Sequence, residues 1–238
     1  MSKRAIILAG GKGTRLKPYT ISLPKPLVPL GNYPILEIIV KQLVYNGFDR
    51  ITLTVSHQAD IIKAYFGNGE KWKTTIDYSF EDKPLGTMGP LTCIPDLPQD
   101  FLVMNGDVLT NLNYSEFYSL HLRQGNPFTI SGFGRTIDSE FGVLDTDKTG
   151  LLTGFQEKPK IHYNVSMGIY MVNRSILEYI PKNTSYGFDQ LMLQLISIKR
   201  PARVIMFDGY WLDIGRPEDY EQAITVFEKN PSFFLPDA

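Results

Sequence analysis

Residues 5–29 read AIILAGGKGTRLKPYTISLPKPLVP. An unbroken apolar run, Ala5-Ile6-Ile7-Leu8-Ala9, passes directly into Gly10-Gly11-Lys12-Gly13. A buried strand that ends in a glycine loop with basic side chains is a phosphate site in an α/β protein. Glycines let backbone N–H groups approach phosphate oxygens closely. Among the cations that follow are Arg15, a planar fork of charge-assisted donors, and Lys25, held between Pro24 and Pro26. Two better-known glycine loops do not fit. A dinucleotide fingerprint, G-x-G-x-x-G, begun at Gly11 requires glycine at position 16, which is Leu16. A Walker A loop requires Gly-Lys-Ser/Thr after four residues, and no register here provides it.

Outward from this stretch, 34–47 (PILEIIVKQLVYNG) has helical apolar spacing, with Pro34 at its start and Gly47 as a C-terminal stop. RITLTVSH (50–57) reads as a strand, QADIIKAYFG (58–67) as a helix and TTIDYSF (74–80) as a strand. LGTMGPLTCI (85–94) reads as a turn entering a helix, and FLVMNGD (101–107) as a buried strand ending at Asp107. Strands alternating with helices imply a parallel sheet whose ligands bind at the strands' C-terminal edge. The glycine loop, Asp107 and the 81–89 loop all fall on that edge.

The second half changes character. FTISGFG (128–134), FGVLDTD (141–147), LLTGFQEKP (151–159) and VSMGIYMVN (165–173) read as short strands, with a hairpin turn at Asp147-Lys148-Thr149-Gly150. Helices are expected at RSILEYI (174–180), FDQLMLQLISIK (188–199) and PEDYEQAITVFEKN (217–230). ARVIMFDGYWLDIG (202–215) reads as two short strands with a bend at Gly209. The tail, PSFFLPDA, would dock on a neighbouring subunit or fray. The expected fold is α/β, a Rossmann-like, mostly parallel mixed sheet flanked by helices, with small β additions in the second half. A single domain is expected over 1–238; the family resemblance described below implies a nucleotide-binding half (1–113) and a sugar-phosphate-binding half (114–238).

Composition sets further bounds. Length and a 43% hydrophobic content suit a folded globular domain. Lys plus Arg total 24 against 25 for Asp plus Glu, so no overall field attracts nucleic acid or anionic membrane. A small anion must be met by local cations. The stretch MSKRAIILAGG offers five apolar residues before glycine, too few for a signal peptide or a span, so a cytoplasmic location is expected. Cys93 has no internal disulfide partner, and CIPDLP is no metal motif. It is expected to be a buried small hydrophobe. His57, His121 and His162 share no metal spacing and read as surface or packing residues.

The block LAGGKGTRL-x-P-x-T followed by PKPLVP resembles the sugar nucleotidyltransferases, or NDP-sugar pyrophosphorylases. Further blocks extend the resemblance over nearly the whole chain: PLGTMGPL (84–91), NGD (105–107), EKP (157–159) and WLDIGRPEDY (211–220). The chain is most similar to the short mannose-1-phosphate and heptose-1-phosphate guanylyltransferases. The resemblance implies Mg²⁺-dependent transfer of a nucleotidyl group from an NTP to a sugar 1-phosphate, with possible homo-oligomers and without nucleic-acid or membrane partners. It implies nucleotide contacts from Leu8, Ala9, Gly10, Gly11, Gly13, Thr14 and Arg15, and from Glu81, Pro84, Gly86 and Thr87. Asp107 and Asp213 are the implied metal ligands, and Arg15, Lys25 and Asp107 the catalytic groups. Sugar-phosphate contacts are implied for Gly142, Glu157, Lys158, Ser166, Gly168 and Asp189. One departure stands out. Family members commonly carry Asn-Ala-Gly where this chain has Ser166-Met167-Gly168, which bears on sugar preference.

These residue types suit the chemistry. Two anions must meet when a sugar 1-phosphate oxygen attacks the α-phosphorus, so positioning and charge neutralisation dominate. Mg²⁺ takes a few carboxylates plus phosphate oxygens. Taken singly, a strand-end aspartate is ordinarily a turn former or cap, and Lys158 or Arg15 an ordinary surface charge. Their joint order in the chain favours the functional reading. Asp189 reads equally as a helix cap. Thymidylyltransferases of this family typically have glutamine where Glu81 stands. A carboxylate accepts only, which matches the adjacent N1–H and 2-amino donors of guanine better than the single donor of thymine or uracil. GTP is therefore the expected nucleotide. Thymidylyl or other NTP specificity is the alternative. A catalytically inactive, ligand-sensing relative is a further one, disfavoured because Arg15, Lys25, Asp107, Lys158 and Asp213 are all retained. A Rossmann dehydrogenase fails on Leu16 and on the strand ending at His57 rather than at an acid.

Overall fold

The computed structural model describes residues 2–56 and 58–235. The opening apolar run forms β1 (Arg4–Leu8), and the chain then passes through two short strands, β2 (Pro29–Leu30) and β3 (Tyr33–Pro34), into α1 (Ile35–Tyr45). Next come β4 (Arg50–Val55), α2 (Ala59–Phe66), β5 (Thr75–Phe80), β6 (Asp100–Asn105), β7 (Val108–Thr110) and α3 (Tyr114–Gln124). The second half contains β8 (Phe128–Asp138), β9 (Val143–Thr146), β10 (Leu152–Gln156) and β11 (Lys160–Asn173). It closes with α4 (Phe188–Ser197), β12 (Arg203–Phe207), β13 (Trp211–Asp213) and α5 (Pro217–Lys229).

Seven strands make one sheet in the order β12-β8-β11-β6-β1-β4-β5. β1 pairs in parallel with β4 and β6, β4 with β5, and β12 with β8. Only β11 is reversed, antiparallel to β6 on one side and β8 on the other. This is the mostly parallel mixed sheet that the strand–helix alternation predicts.

Period-two alternation splits the core into two layers. Ala5 and Ile7 of β1, Leu102 and Met104 of β6, and Ile169 and Met171 of β11 pack against α1, α3 and α5. Ile6, Phe101, Val103, Tyr170 and Val172 face the other way, onto Leu191 and Leu195 of α4. Each fully buried Leu, Ile or Phe is worth roughly 1.5–3 kcal/mol. A one-residue slip of β1 would exchange its two faces, so the register is strongly specified.

Four expectations are corrected. Residues 89–93 and 174–179 form 3₁₀ turns rather than helices. Strands β8 and β11 run well past their apolar stretches, because Gly134–Asp138 pairs with Lys160–Asn164 in a solvent-exposed ladder held by backbone bonds. Cys93 is exposed, since the tight 3₁₀ turn directs Leu91 and Ile94 inward instead. The tail neither frays nor reaches outward as far as it is described. Phe234 and Leu235 are buried, Phe234 stacks on Phe227, and its carbonyl accepts from Gln42 Nε2 at 2.9 Å. Residues 236–238, and His57, lie outside the described residues. His121 is a packing residue, bonded to Thr129 and Asp100, and His162 bonds Thr136 on the exposed ladder.

Candidate active site

The glycine loop leaves β1 at the C-terminal edge of the sheet. Its carbonyls are tied back by side chains: Ser56 Oγ donates to Gly10 O and Thr20 Oγ1 to Gly13 O, both at 2.7 Å. Among the described residues, the backbone N–H groups of Gly10, Gly11, Lys12 and Gly13 have no acceptor in the protein. A row of free donors with pinned carbonyls is an anion cradle. Gly13 has φ +62°, and a Cβ there would stand 2.9 Å from both Lys25 Cβ and Thr20 Cγ2. Glycine is therefore required by conformation and by space. The loop runs into a 3₁₀ turn, Thr14–Leu16, whose buried Leu16 anchors it while Thr14 and Arg15 remain exposed.

A second feature of the edge brings the two aspartates together. β6 ends at Asn105, and Gly106-Asp107 turns into β7. That three-residue strand pairs antiparallel with β13, setting Asp213 opposite Val108, and Ile214 N–H donates to Asp107 O at 3.0 Å. Lys25, in a 3₁₀ turn flanked by its prolines, makes an ion pair with Asp107 Oδ2. Asp107 Oδ1 is buried and has no hydrogen-bond partner among the described residues. Burial, and then repulsion from Asp107, push the Asp213 carboxyl above the ordinary aspartate range, against the pull of Lys25 and Arg15. Gly215 is where the tips converge. A Cβ there would stand 3.2 Å from Asp213 Oδ2, 3.6 Å from Arg15 Nη2 and 3.7 Å from Asp219 Oδ2.

An orphaned buried carboxylate oxygen beside a second carboxylate that resists ionisation is a site short of positive charge. Two carboxylates completed by water and phosphate oxygens suit Mg²⁺, which rarely uses an all-protein cage. The donor set fits the ion.

The 84–89 loop is clamped from behind. Gly86 has φ +75°, and a Cβ there would stand 2.7 Å from Tyr186 O. The Met88 and Gly89 N–H groups donate to Tyr186 O, Tyr186 N–H donates to Leu85 O, and Phe188 N–H donates to Thr87 Oγ1 at 2.7 Å. Pro84 and Gly86 stay exposed. Glu81 Oε2 accepts from Leu85 N–H at 3.2 Å, while Oε1 lies 3.2 Å from where a Gly10 Cβ would be. Glu81 thus stands beside the glycine loop, and burial raises its carboxyl above the ordinary value against hydrogen bonds from Leu85 N–H and the Thr54 side chain.

The expected sugar-phosphate residues are less gathered. Gly142 and Glu157 are neighbours, with a Cβ at 142 falling 3.2 Å from Glu157 Oε2. Lys158 is exposed in the turn between β10 and β11, with φ +43°. Ser166, Met167 and Gly168 form a break in the β11–β8 register. Ser166 Oγ accepts from Gly168 N–H and donates to Tyr170 Oη, both at 3.2 Å, and Trp211 Nε1 donates to Met167 O at 2.9 Å. Asp189 lies exposed in the first turn of α4. No hydrogen bond or ion pair among the described residues joins Lys158 or Asp189 to the Asp107 cluster. Sequence reasoning missed Ser56 and Thr20, which pin the loop, and Asp219, which caps α5 at Arg216 N–H. Asp219 had a signal, an acid two residues after Pro217 at a helix start.

Residues 4–230 match the family model described as Nucleotidyl transferase. The chain is 35% identical over 241 residues to a protein named UTP--glucose-1-phosphate uridylyltransferase from Synechocystis, covering 93% of this chain and 62% of that protein. It is 34% identical over 232 residues to a mannose-1-phosphate guanylyltransferase catalytic subunit beta from Drosophila pseudoobscura, covering 94% and 62%. It therefore spans about three-fifths of the length of these curated relatives. The crystal structure of HddC from Yersinia pseudotuberculosis complexed with GMP-PN superposes with a TM-score of 0.73 at 29% identity, covering 94% of this chain and 99% of that chain.

Proposed function

The chain belongs to the nucleotidyl transferase family, and from that premise we propose that it joins the nucleotidyl group of an NTP, with GTP favoured, to a sugar 1-phosphate of mannose or manno-heptose type, giving an NDP-sugar and pyrophosphate. The observation that carries this reading is the free N–H row of Gly10–Gly13 placed beside the Lys25–Asp107–Asp213 cluster.

In the proposed reaction a phosphate oxygen of the sugar 1-phosphate attacks the α-phosphorus, the bond to the bridging oxygen of the β-phosphate breaks, and pyrophosphate leaves. No protein nucleophile is needed. The free amides of the glycine loop and the exposed Arg15 fork would bind the β- and γ-phosphates, where charge develops on the leaving group. Lys25 is fixed by its prolines and by Asp107, so its charge would stand near the reacting phosphate at little reorganisation cost. Asp107 and Asp213 would hold Mg²⁺, whose role when bound would be to neutralise phosphate oxygens. Lys158 and Glu157 would meet the phosphate and hydroxyls of the sugar 1-phosphate, with Gly142 leaving room beside Glu157.

Guanine is favoured by Glu81, whose carboxylate accepts and cannot donate, and by the GMP-PN bound in the HddC structure. A uridylyl specificity is the second reading, favoured by the Synechocystis relative. Glu81→Gln separates them. Charged hydrogen bonds are worth roughly 1.5–3 kcal/mol, so the preference for GTP over UTP should fall about tenfold to a hundredfold. The pH dependence gives an independent readout. Burial raises the Glu81 carboxyl, so its accepting form is lost as pH falls through a point above the ordinary glutamate range. KM for GTP should rise there in the wild type and stay flat in Glu81→Gln. An unaltered GTP preference in the variant would remove Glu81 as the base reader.

A further inference from the structure

On the α4 side of the sheet, β4 and β5 present polar side chains where β6 and β11 present apolar ones. Alternation sends Ile51, Leu53, Val55 and Ile76 into the core beneath α1. The other face carries Thr52, in register with Asp77, and Arg50, which lies beside Arg4. Here the sheet and the irregular stretch 93–95 border a cavity of about 320 Å³. Arg4, Arg50, Asp77, Ser79 and Cys93 line it, with Ile94 and Pro95 as an apolar wall. Arg4 and Arg50 open β1 and β4, at the strand ends away from the glycine loop.

Positive charge is in excess around this cavity. Arg4 is 3% exposed, and every N–H of its guanidinium is taken by Thr52 Oγ1, the carbonyls of Pro95 and Asp96, and Asp77 Oδ2. Arg50 Nε donates to the same Asp77 oxygen at 2.7 Å, so two guanidinium groups share one carboxylate oxygen. Burial disfavours the Arg4 charge; Asp77 and the exposed Asp96 offset this in part, and Arg50 adds to it. Among the described residues, the terminal nitrogens of Arg50 and the Ser79 hydroxyl make no hydrogen bond. The excess charge therefore comes with free donors.

We propose that this cavity binds a phosphate group, held by the free fork of Arg50 and the Ser79 hydroxyl. A guanidinium fork matches two phosphate oxygens and leaves a third for the hydroxyl, which a carboxylate would not supply. The cavity has room for a small organic phosphate, whose carbon part would lie against Ile94 and Pro95. The free phosphate ion shares the chemistry, and the test has an arm for each. This site does not depend on the nucleotidyl-transfer reading.

Cys93, the single cysteine of the chain, is exposed at the cavity and reports its occupancy. Its alkylation by iodoacetamide would be followed by mass spectrometry with glycerol 3-phosphate, inorganic phosphate or sodium chloride at matched ionic strength. Phosphate should slow the reaction saturably and chloride should not. Tighter protection by glycerol 3-phosphate assigns an ester to the site, and equal protection assigns the free ion. The concentration for half-protection should rise at least about tenfold in Arg50→Met, the worth of a charged hydrogen bond, and less in Arg50→Lys. Ser79→Ala, which leaves the Asp77 ion pairs in place, should raise it as well. No slowing by either phosphate, slowing matched by chloride, or half-protection unchanged in all three variants would overturn the proposal. So would protection lost in Arg15→Ala but kept in Arg50→Met, which would place the phosphate in the glycine-loop cradle. A Cys93 that iodoacetamide does not reach would show the cavity closed and overturn it too.

Discussion

Asp107→Asn and Asp213→Asn should each lower turnover about a thousandfold on the proposed reading, in which the two carboxylates would hold a metal ion that would supply several kcal/mol, each 1.4 kcal/mol being tenfold. Stability should move the other way for Asp213→Asn. The folded state raises the Asp213 carboxyl, by burial and by repulsion from Asp107, so keeping it ionised at neutral pH costs folded stability. That cost is absent at pH values below the carboxyl's unfolded pKa and is fully present above its raised folded value. Without divalent metal at pH 7, the asparagine variant should therefore melt higher than the wild type. Adding Mg²⁺ and NTP should raise the wild-type Tm and leave the variant nearly unmoved. Variants with near wild-type turnover, or an Asp213→Asn protein that responds to Mg²⁺ as the wild type does, would show that these carboxylates hold no ion.

Arg15→Ala should cost about 10²–10³ in kcat, the ordinary price of removing one preorganised group from developing charge. The guanidinium stands by Gly215 and Asp213 but is exposed and without an ion pair among the described residues, so its fork is available to a phosphate. KM for the sugar 1-phosphate should stay near wild type in this variant. Lys158→Ala should do the reverse, raising that KM while changing kcat little. The opposite pattern would mean that the two phosphate sites had been exchanged.

The glycine loop was legible because its signals are local. An apolar strand, three glycines and a proline-flanked lysine need no knowledge of distant partners, and β1 and the loop that follows it stand where those residues predict. The meeting of Asp107 with Asp213 was not legible from periodicity. It depends on a ladder of two three-residue strands, β7 and β13, too short to leave an alternating pattern. Helix α3 escaped for a related reason. It turns only Tyr114, Phe117, Tyr118 and His121 inward, among polar neighbours, and its clearer marks are Asn113 capping Glu116 N–H and Gly125 at φ +64°. The extensions of β8 and β11 carry no buried face, so no hydrophobic rule announces them. Cys93 was misplaced because residue type was weighed without the 3₁₀ turn that decides which side faces in.

The most direct measurement is pyrophosphate release across a grid of GTP, UTP, dTTP and ATP against mannose-, manno-heptose- and glucose-1-phosphate. Release should require an NTP, a sugar 1-phosphate and Mg²⁺ together, and should be fastest in the GTP row. Release that proceeds without the sugar 1-phosphate, or none at any position of the grid from a protein that still binds NTP, would contradict nucleotidyl transfer as the function of this site.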